Sequence, residues 1–174
     1  MELNILDWFQ TLHTPILDKI MTSITKLGDA GIFWIILTLL FLIIPKMRKT
    51  GIIMAAAVKN LAARTRPYDV NTSVQLLVAK LHDYSFPSGH TAASFASVTA
   101  LYLAGERKLW KPALVLACLI AVSRLYLYVH YPTDVLGGMV FGILAGFAGY
   151  WIVKLLEAKL SGRKNAGKQK QVRR

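Results

Sequence analysis

Uncharged apolar runs alternate along this chain with short polar clusters. Residues 135–153 (VLGGMVFGILAGFAGYWIV) hold 19 uncharged positions. As a helix they rise about 28 Å, close to the roughly 30 Å of bilayer hydrocarbon, and so predict a membrane span. Residues 30–45 (AGIFWIILTLLFLIIP) are 16 long and as apolar. They rise about 24 Å and span if flanking residues or local thinning supply the rest. Residues 91–105 and 112–130 predict two further helices on either side of the basic turn Glu106-Arg107-Lys108-Leu109-Trp110-Lys111, with Arg124 near one end of the second. Residues 50–66 form a weaker fifth segment. Ahead of these, Leu17, Ile20, Met21, Ile24 and Leu27 recur at helical spacing. They predict amphipathic helices over 3–26, broken near Pro15, lying on the membrane surface or padding the bundle, two placements that are compatible. Glu2 and Asp7 stand where a signal peptide is basic, which argues against one.

Composition sharpens the class. Of the 174 residues, 55% are hydrophobic and 17% charged, against about 25% charged in soluble domains. That excludes an ordinary soluble globule, and the hydrophobicity excludes disorder. The expectation is an all-α integral membrane protein of about five transmembrane helices, with residues 1–160 as one domain. The single cysteine, Cys118, excludes an intramolecular disulfide and any multi-cysteine metal site.

The net charge of +12 raises the alternative of a nucleic-acid binder, and its placement decides. Excess Lys and Arg mark cytoplasmic loops. With Lys46–Lys49, the 106–111 turn and the tail inside, segments 30–45, 50–66, 89–105, 112–130 and 134–157 alternate consistently. The N-terminus then lies outside and the C-terminus inside. The inner side holds 14 of the 21 basic residues and 2 of the 9 acidic ones, the whole surplus. The charge is a topology signal, and no nucleic-acid partner is expected. The tail 161–174, with six basic residues and no acid, predicts a disordered extension suited to the anionic cytoplasmic leaflet.

Three polar clusters fall at the outer ends of the predicted helices. In the first, Lys59 and Arg66 are seven apart, two turns on one helical face that Pro67 would end. Arg64 reads as a basic side chain reaching for the interface. In the second, Pro87-Ser88-Gly89-His90 opens an apolar helix, whose N-terminal N–H groups favour an anion. Ser88 is also a plain capping residue. In the third, Ser123-Arg124 precedes His130 and Asp134. Pro132 fits as an early residue of the last helix, with Asp134 in its first turn. A carboxylate fixing one imidazole nitrogen leaves the other free to attack. A charge near membrane depth, such as Arg124, costs roughly 2.5–3.5 kcal/mol and so has a partner or a task. Together these residues suit phosphoryl transfer: Arg forks and a Lys for phosphate oxygens, one His to attack and one to protonate a leaving group. There is no carboxylate cluster for Mg²⁺ or Ca²⁺ and no ligand set for Zn²⁺, so no metal or other cofactor is expected.

Lys59-x6-Arg66-Pro67, Pro87-Ser88-Gly89-His90 and Ser123-Arg124-x5-His130-x3-Asp134 resemble the three signature motifs of the type 2 phosphatidic acid phosphatase (PAP2) superfamily, in order and in internal spacing. The resemblance covers about residues 30–157. It implies a PAP2-type helical core and a metal-independent phosphatase site. In it His130 is the nucleophile forming a phosphohistidine, Asp134 orients it, and His90 is the general acid. Lys59, Arg66, Ser88, Gly89 and Arg124 hold the phosphate. The small bacterial membrane members it most resembles act at the outer face of the cell membrane on lipid phosphates and diphosphates, with undecaprenyl diphosphate first and phosphatidylglycerophosphate or phosphatidate as alternatives. One departure stands out. Only nine steps separate Thr50 from Lys59, about 13.5 Å of helix, where a span needs about 20 residues. If Lys49 marks the inner surface, Lys59 lies near the midplane. A second reading is therefore a lipid-phosphate-binding membrane protein with impaired turnover.

The remaining signals are structural. Gly138, Gly142 and Gly146 recur every four residues, a small-residue face for close packing within the bundle rather than for dimerisation, and Ala92, Ala96 and Ala100 offer its counterpart. Trp8, Trp34, Trp110 and Trp151, with Tyr126, Tyr128 and Tyr131, read as an interfacial aromatic belt. His13 and His82 read as surface residues, and Cys118 as a small packing residue in a membrane segment.

Overall fold

The computed structural model describes residues 1–28 and 64–172, and all helices in it are α-helices. They run α1 (Glu2–Gln10), α2 (Pro15–Gly28), α3 (Pro67–Val70), α4 (Gly89–Leu103), α5 (Trp110–Tyr126) and α6 (Pro132–Val172). The expected span over 30–45, and that over 50–66 up to residue 63, lie outside the described residues. Among those described, one helix, Pro132–Leu155, is long and apolar enough to cross a membrane.

The helix starts follow local chemistry. Pro15, Pro67 and Pro132 each open a helix, where the missing N–H costs nothing and φ is preset. Asp134 falls in the first turn of α6, as expected. The stretch before Pro67 departs from expectation. Residues 64–66 are not helical, and Pro67 begins a short helix instead of ending a long one. The cause is the clash of a proline ring with the preceding residue, which drives Arg66 to φ −73, ψ 152. Helix α6 runs on to Val172.

Among the described helices, α4 packs most extensively on α6 and next on α5. The glycine face of α6 makes that closeness possible. A Cβ on Gly138 would sit 2.6 Å from the Ser88 carbonyl oxygen, one on Gly142 would collide with the Ala92 carbonyl, and one on Gly146 would meet Thr99 at 2.6 Å. The stripe is thus a packing face within the bundle. On another face of α6, Leu136, Val140, Leu144, Phe147, Trp151 and Leu155 are exposed, spaced by three or four residues and spanning about 28 Å.

The N-terminal helices are amphipathic in two directions. Leu6 is fully buried against Tyr68 and the 126–131 segment, with Leu3, Phe9, Leu17 and Met21 packed around it. Ile5, Trp8, Ile16 and Ile20 stay exposed. Bundle packing and an outward apolar face coexist. Tyr126, Tyr128 and Tyr131 are buried and form no belt. Their ring bodies fill this cluster, while the Tyr126 and Tyr128 hydroxyls donate to Asp18 (2.6 Å) and Asp7 (2.7 Å). A phenol buries its apolar body when its hydroxyl finds a partner. Cys118 is exposed on α5 rather than packed inside.

Candidate active site

The turn between α5 and α6 carries His130. Tyr128 there has φ of 59°, a left-handed conformation that is uncommon and strained outside glycine. Its buried ring and its hydroxyl, bonded to Asp7 and to Asn71 (3.2 Å), hold the turn. The turn folds the chain back so that His130 and Asp134 meet inside the protein, both buried.

His130 is held mainly by a group outside the three motifs. Its Nδ1 lies 2.7 Å from the Ser85 carbonyl oxygen and 3.7 Å from Asp134 Oδ2. A carbonyl only accepts, so Nδ1 carries the proton and the neutral ring presents a bare Nε2. The Arg66 Nη1 stands 3.4 Å from that Nε2. Asp134 belongs to the same unit through a longer route. Its Oδ2 accepts the Ser85 hydroxyl and the Tyr131 N–H (2.8 Å), and its Oδ1 accepts Arg64 Nη1 (2.7 Å). Ser85 thus touches both members of the pair, one with its carbonyl and one with its hydroxyl.

Arg66 is buried with its fork filled. Nε donates to the Asp83 carbonyl (3.0 Å), Nη1 to the Val129 carbonyl (2.8 Å), and Nη2 to Asp83 Oδ1 (2.6 Å) and the Tyr84 carbonyl (3.3 Å). Burial alone would raise the Asp83 carboxyl, but the hydrogen bond and charge of Arg66 outweigh it and hold Asp83 below its usual range. A cleft of about 350 Å³ opens beside Arg66, with Arg64, Tyr68, Lys80, His82 and Asp83 on its walls.

The second motif meets the third through the backbone. Ser88 N–H donates to the Asp134 carbonyl (3.0 Å), and the Ser88 hydroxyl accepts from Thr91 (3.0 Å) rather than capping α4. Gly89 is exposed, and a Cβ there would meet none of the described residues. His90 and Arg124 both lean on the end of α2. A Cβ on Gly28 would sit 2.7 Å from the His90 ring, and Arg124 Nη1 donates to the Thr25 hydroxyl. Burial pushes the His130 imidazole down, Asp134 opposes this, and the charges of Arg124 and Arg66 add to the fall, leaving it at about 4. Arg66, Ser88, His130 and Asp134 are therefore joined by direct contacts, and Arg124 by its field. Lys59 lies outside the described residues.

Four partners escape the motif spacing: Ser85, Asp83, Arg64 and Glu2. Ser85 lies two residues ahead of Pro87, and nothing in its type distinguishes it from a loop serine. In sequence Asp83 is an ordinary loop charge and Arg64 a basic side chain reaching for the interface, until the fold pairs the first with Arg66 and the second with Asp134 and Glu2. Glu2 meets Thr133 across 131 positions of sequence, a separation that no local pattern encodes.

An imidazole nitrogen with an open lone pair thus faces a guanidinium, on a helical fold with one membrane-length helix among the described residues. Comparison with known proteins supplies the family. Residues 31–157 match the PAP2 superfamily. An undecaprenyl-diphosphatase of Sulfolobus acidocaldarius is 31% identical over 75% of this chain and 68% of its own length. The undecaprenyl-diphosphatase BcrC of Bacillus subtilis is 30% identical over 83% of this chain and 79% of its own. The crystal structure of a transmembrane PAP2-type phosphatidylglycerolphosphate phosphatase from Bacillus subtilis superposes with a TM-score of 0.63 at 27% identity, covering 90% of this chain and 84% of that one. The crystal structure of Aquifex aeolicus LpxE gives 0.66 at 26% identity, over 85% and 93%. The chain belongs to the PAP2 superfamily and is a phosphatase.

Proposed function

We propose that this chain is an outward-facing, metal-independent lipid phosphatase that acts through a phosphohistidine on His130, with undecaprenyl diphosphate as its substrate. The observation that carries the reading is the His130 ring: Nδ1 engaged by the Ser85 carbonyl, Nε2 bare beside Arg66. The Nε2 lone pair attacks phosphorus while the bond from phosphorus to the leaving oxygen breaks. His90 gives its proton to that oxygen. Water then attacks the phosphohistidine, His90 takes back a proton, and phosphate leaves. Arg66, Arg124, Lys59, the Ser88 hydroxyl and the α4 N-terminus at Gly89 bear the charge on the phosphoryl oxygens. For Arg66 this means exchanging part of its hold on Asp83 for phosphate.

The substrate follows the relatives' names, two of which are undecaprenyl-diphosphatases. A phosphatidylglycerophosphatase B of Bacillus subtilis, 30% identical over 86% of this chain, keeps that lipid as the alternative. The test is phosphate release in detergent with EDTA present, from undecaprenyl diphosphate, phosphatidylglycerophosphate and phosphatidate. Release is expected to be fastest from the first and lost in His130→Ala with the fold retained. The short segment before Lys59 favours the second reading, binding without turnover. Turnover by the wild-type chain excludes that reading, and headgroup binding with no phosphate release from any of the three lipids establishes it.

A further inference from the structure

Arg64 does more than reach for an interface. Its Nη1 donates to Asp134 Oδ1 (2.7 Å) and to the Thr133 hydroxyl (2.6 Å), its Nη2 donates to Glu2 Oε2 (2.5 Å), and its guanidinium lies 3.9 Å above the centre of the Tyr131 ring. Glu2 in turn accepts the Thr133 N–H (3.1 Å) and hydroxyl (2.6 Å) on its other oxygen. Thr133 is the second residue of α6, so one carboxylate from α1 takes up an N–H at the start of the helix that carries Asp134. Leu6, one helical turn beyond Glu2, is fully buried among Tyr126, Tyr128 and Tyr131 and seats α1 over this point.

From this geometry we propose that Arg64 and Glu2 are positioning residues for the His130–Asp134 pair, which makes α1 a working part of the active site. The proposal rests on the reading of His130 as nucleophile. Asp134 is fully buried. Its carboxylate plane is set by Arg64 on Oδ1 and by the Ser85 hydroxyl and Tyr131 N–H on Oδ2. With Arg64 removed, Oδ1 loses its cation, the carboxylate turns to find another donor, and the Ser85 contact that links it to His130 turns with it. Glu2 fixes the Arg64 fork from behind. A lysine keeps the charge but has no planar fork to serve Glu2 and Asp134 together.

The test uses the full chain in detergent, with Glu2→Gln, Arg64→Gln and Arg64→Lys, each alone and combined with Asp134→Asn. Each single change is expected to lower kcat about tenfold and leave KM within about twofold. In the Asp134→Asn background the loss should shrink to less than about twofold, because residues in one network do not act additively. ¹⁵N spectra of the imidazoles give a reading independent of turnover. His130 is expected to change from a single Nδ1–H tautomer to a mixture in Arg64→Gln. Losses that multiply fully in the double variants, a wild-type rate in Arg64→Lys, or an unchanged His130 tautomer in Arg64→Gln each overturn the proposal. Absence of phosphate release by the wild type overturns the phosphatase reading instead, and the tautomer measurement then decides the positioning role.

Discussion

His130, the proposed nucleophile, shows what burial does to an imidazole. A histidine free in water is half protonated near pH 6.5, and a protonated ring has no lone pair to attack with. Here burial, with Arg124 and Arg66 nearby, lowers the ring to about 4. The neutral form is therefore kept across the pH range in which a cell works. In a pH titration of the folded protein by imidazole ¹³C spectra, with His130→Ala for assignment, the His130 resonance should stay constant from pH 8 to about 5. A resonance titrating near 6.5 would show the burial argument to be wrong. The linkage has a definite sign. Between about 4 and 6.5 the unfolded chain binds the proton and the folded chain does not, so stability rises with pH across that window. It is fully present above 6.5 and lost as pH falls through 4. At this scale the sequence was a good guide wherever one residue type at one spacing implies a contact. The four-residue step from His130 to Asp134, interrupted by Pro132, correctly placed the carboxylate in the first turn of α6. It could not reveal that the Ser85 carbonyl is the nearer partner of Nδ1, because a backbone oxygen has no residue type to recognise.

Between elements, the packing of α4 on α6 sets the register of the second motif against the third. Ser88 N–H reaches the Asp134 carbonyl only because glycines let the two helices touch. A side chain at Gly142 must displace the Ala92 backbone, which has no flexible end to yield. Gly142→Val is therefore expected to destabilise the protein by about 1–3 kcal/mol, as overpacking does. It should also lower kcat, since the displaced α4 carries Ser88 and His90. Gly105→Ala, at the end of α4 away from the motif, is a loop change with open space around it, though its φ of 78° brings strain. It should lower the melting temperature without the kinetic loss. Thermal melts and steady-state rates on the two variants distinguish the effects; equal kinetic losses would deny the helix contact its role. The glycine and alanine periods were readable from sequence because helix faces repeat every three or four residues. The non-helical stretch at 64–66 was not. A seven-residue step from Lys59 to Arg66 fits a helix as arithmetic, whereas the clash of Pro67 with the residue before it acts on one dihedral angle and breaks that arithmetic.

For the whole molecule, the question is which surface meets lipid and which meets water. The exposed apolar stripe of α6, from Leu136 to Leu155, runs opposite no described partner and is about as long as the hydrocarbon is thick. A charge at its middle, Leu144→Arg, should cost roughly 2.5–3.5 kcal/mol in the membrane, seen as reduced yield and earlier unfolding; a tolerated arginine would argue that the stripe faces water. The proposed orientation rests on charge. It puts the basic turn at Arg107 and Lys108 on the cytoplasmic side and the 67–88 connection, which carries Lys80 and borders the Arg66 cleft, on the other. Both lysines are exposed, so the two sides can be read chemically. In a Cys118→Ser background, needed because Cys118 is itself exposed, Lys80→Cys should react with an impermeant maleimide in intact cells. Lys108→Cys should react only after permeabilisation. That pattern would put the cleft on the outer face, where a lipid diphosphate must be dephosphorylated if the site is to open outward. Reaction of both positions from the same side would require an even number of crossings between residues 80 and 108 and would remove α4 from the list of spans. Reaction of Lys108→Cys alone in intact cells would invert the molecule, and the placement of the +12 surplus would then have to be explained by something other than membrane orientation.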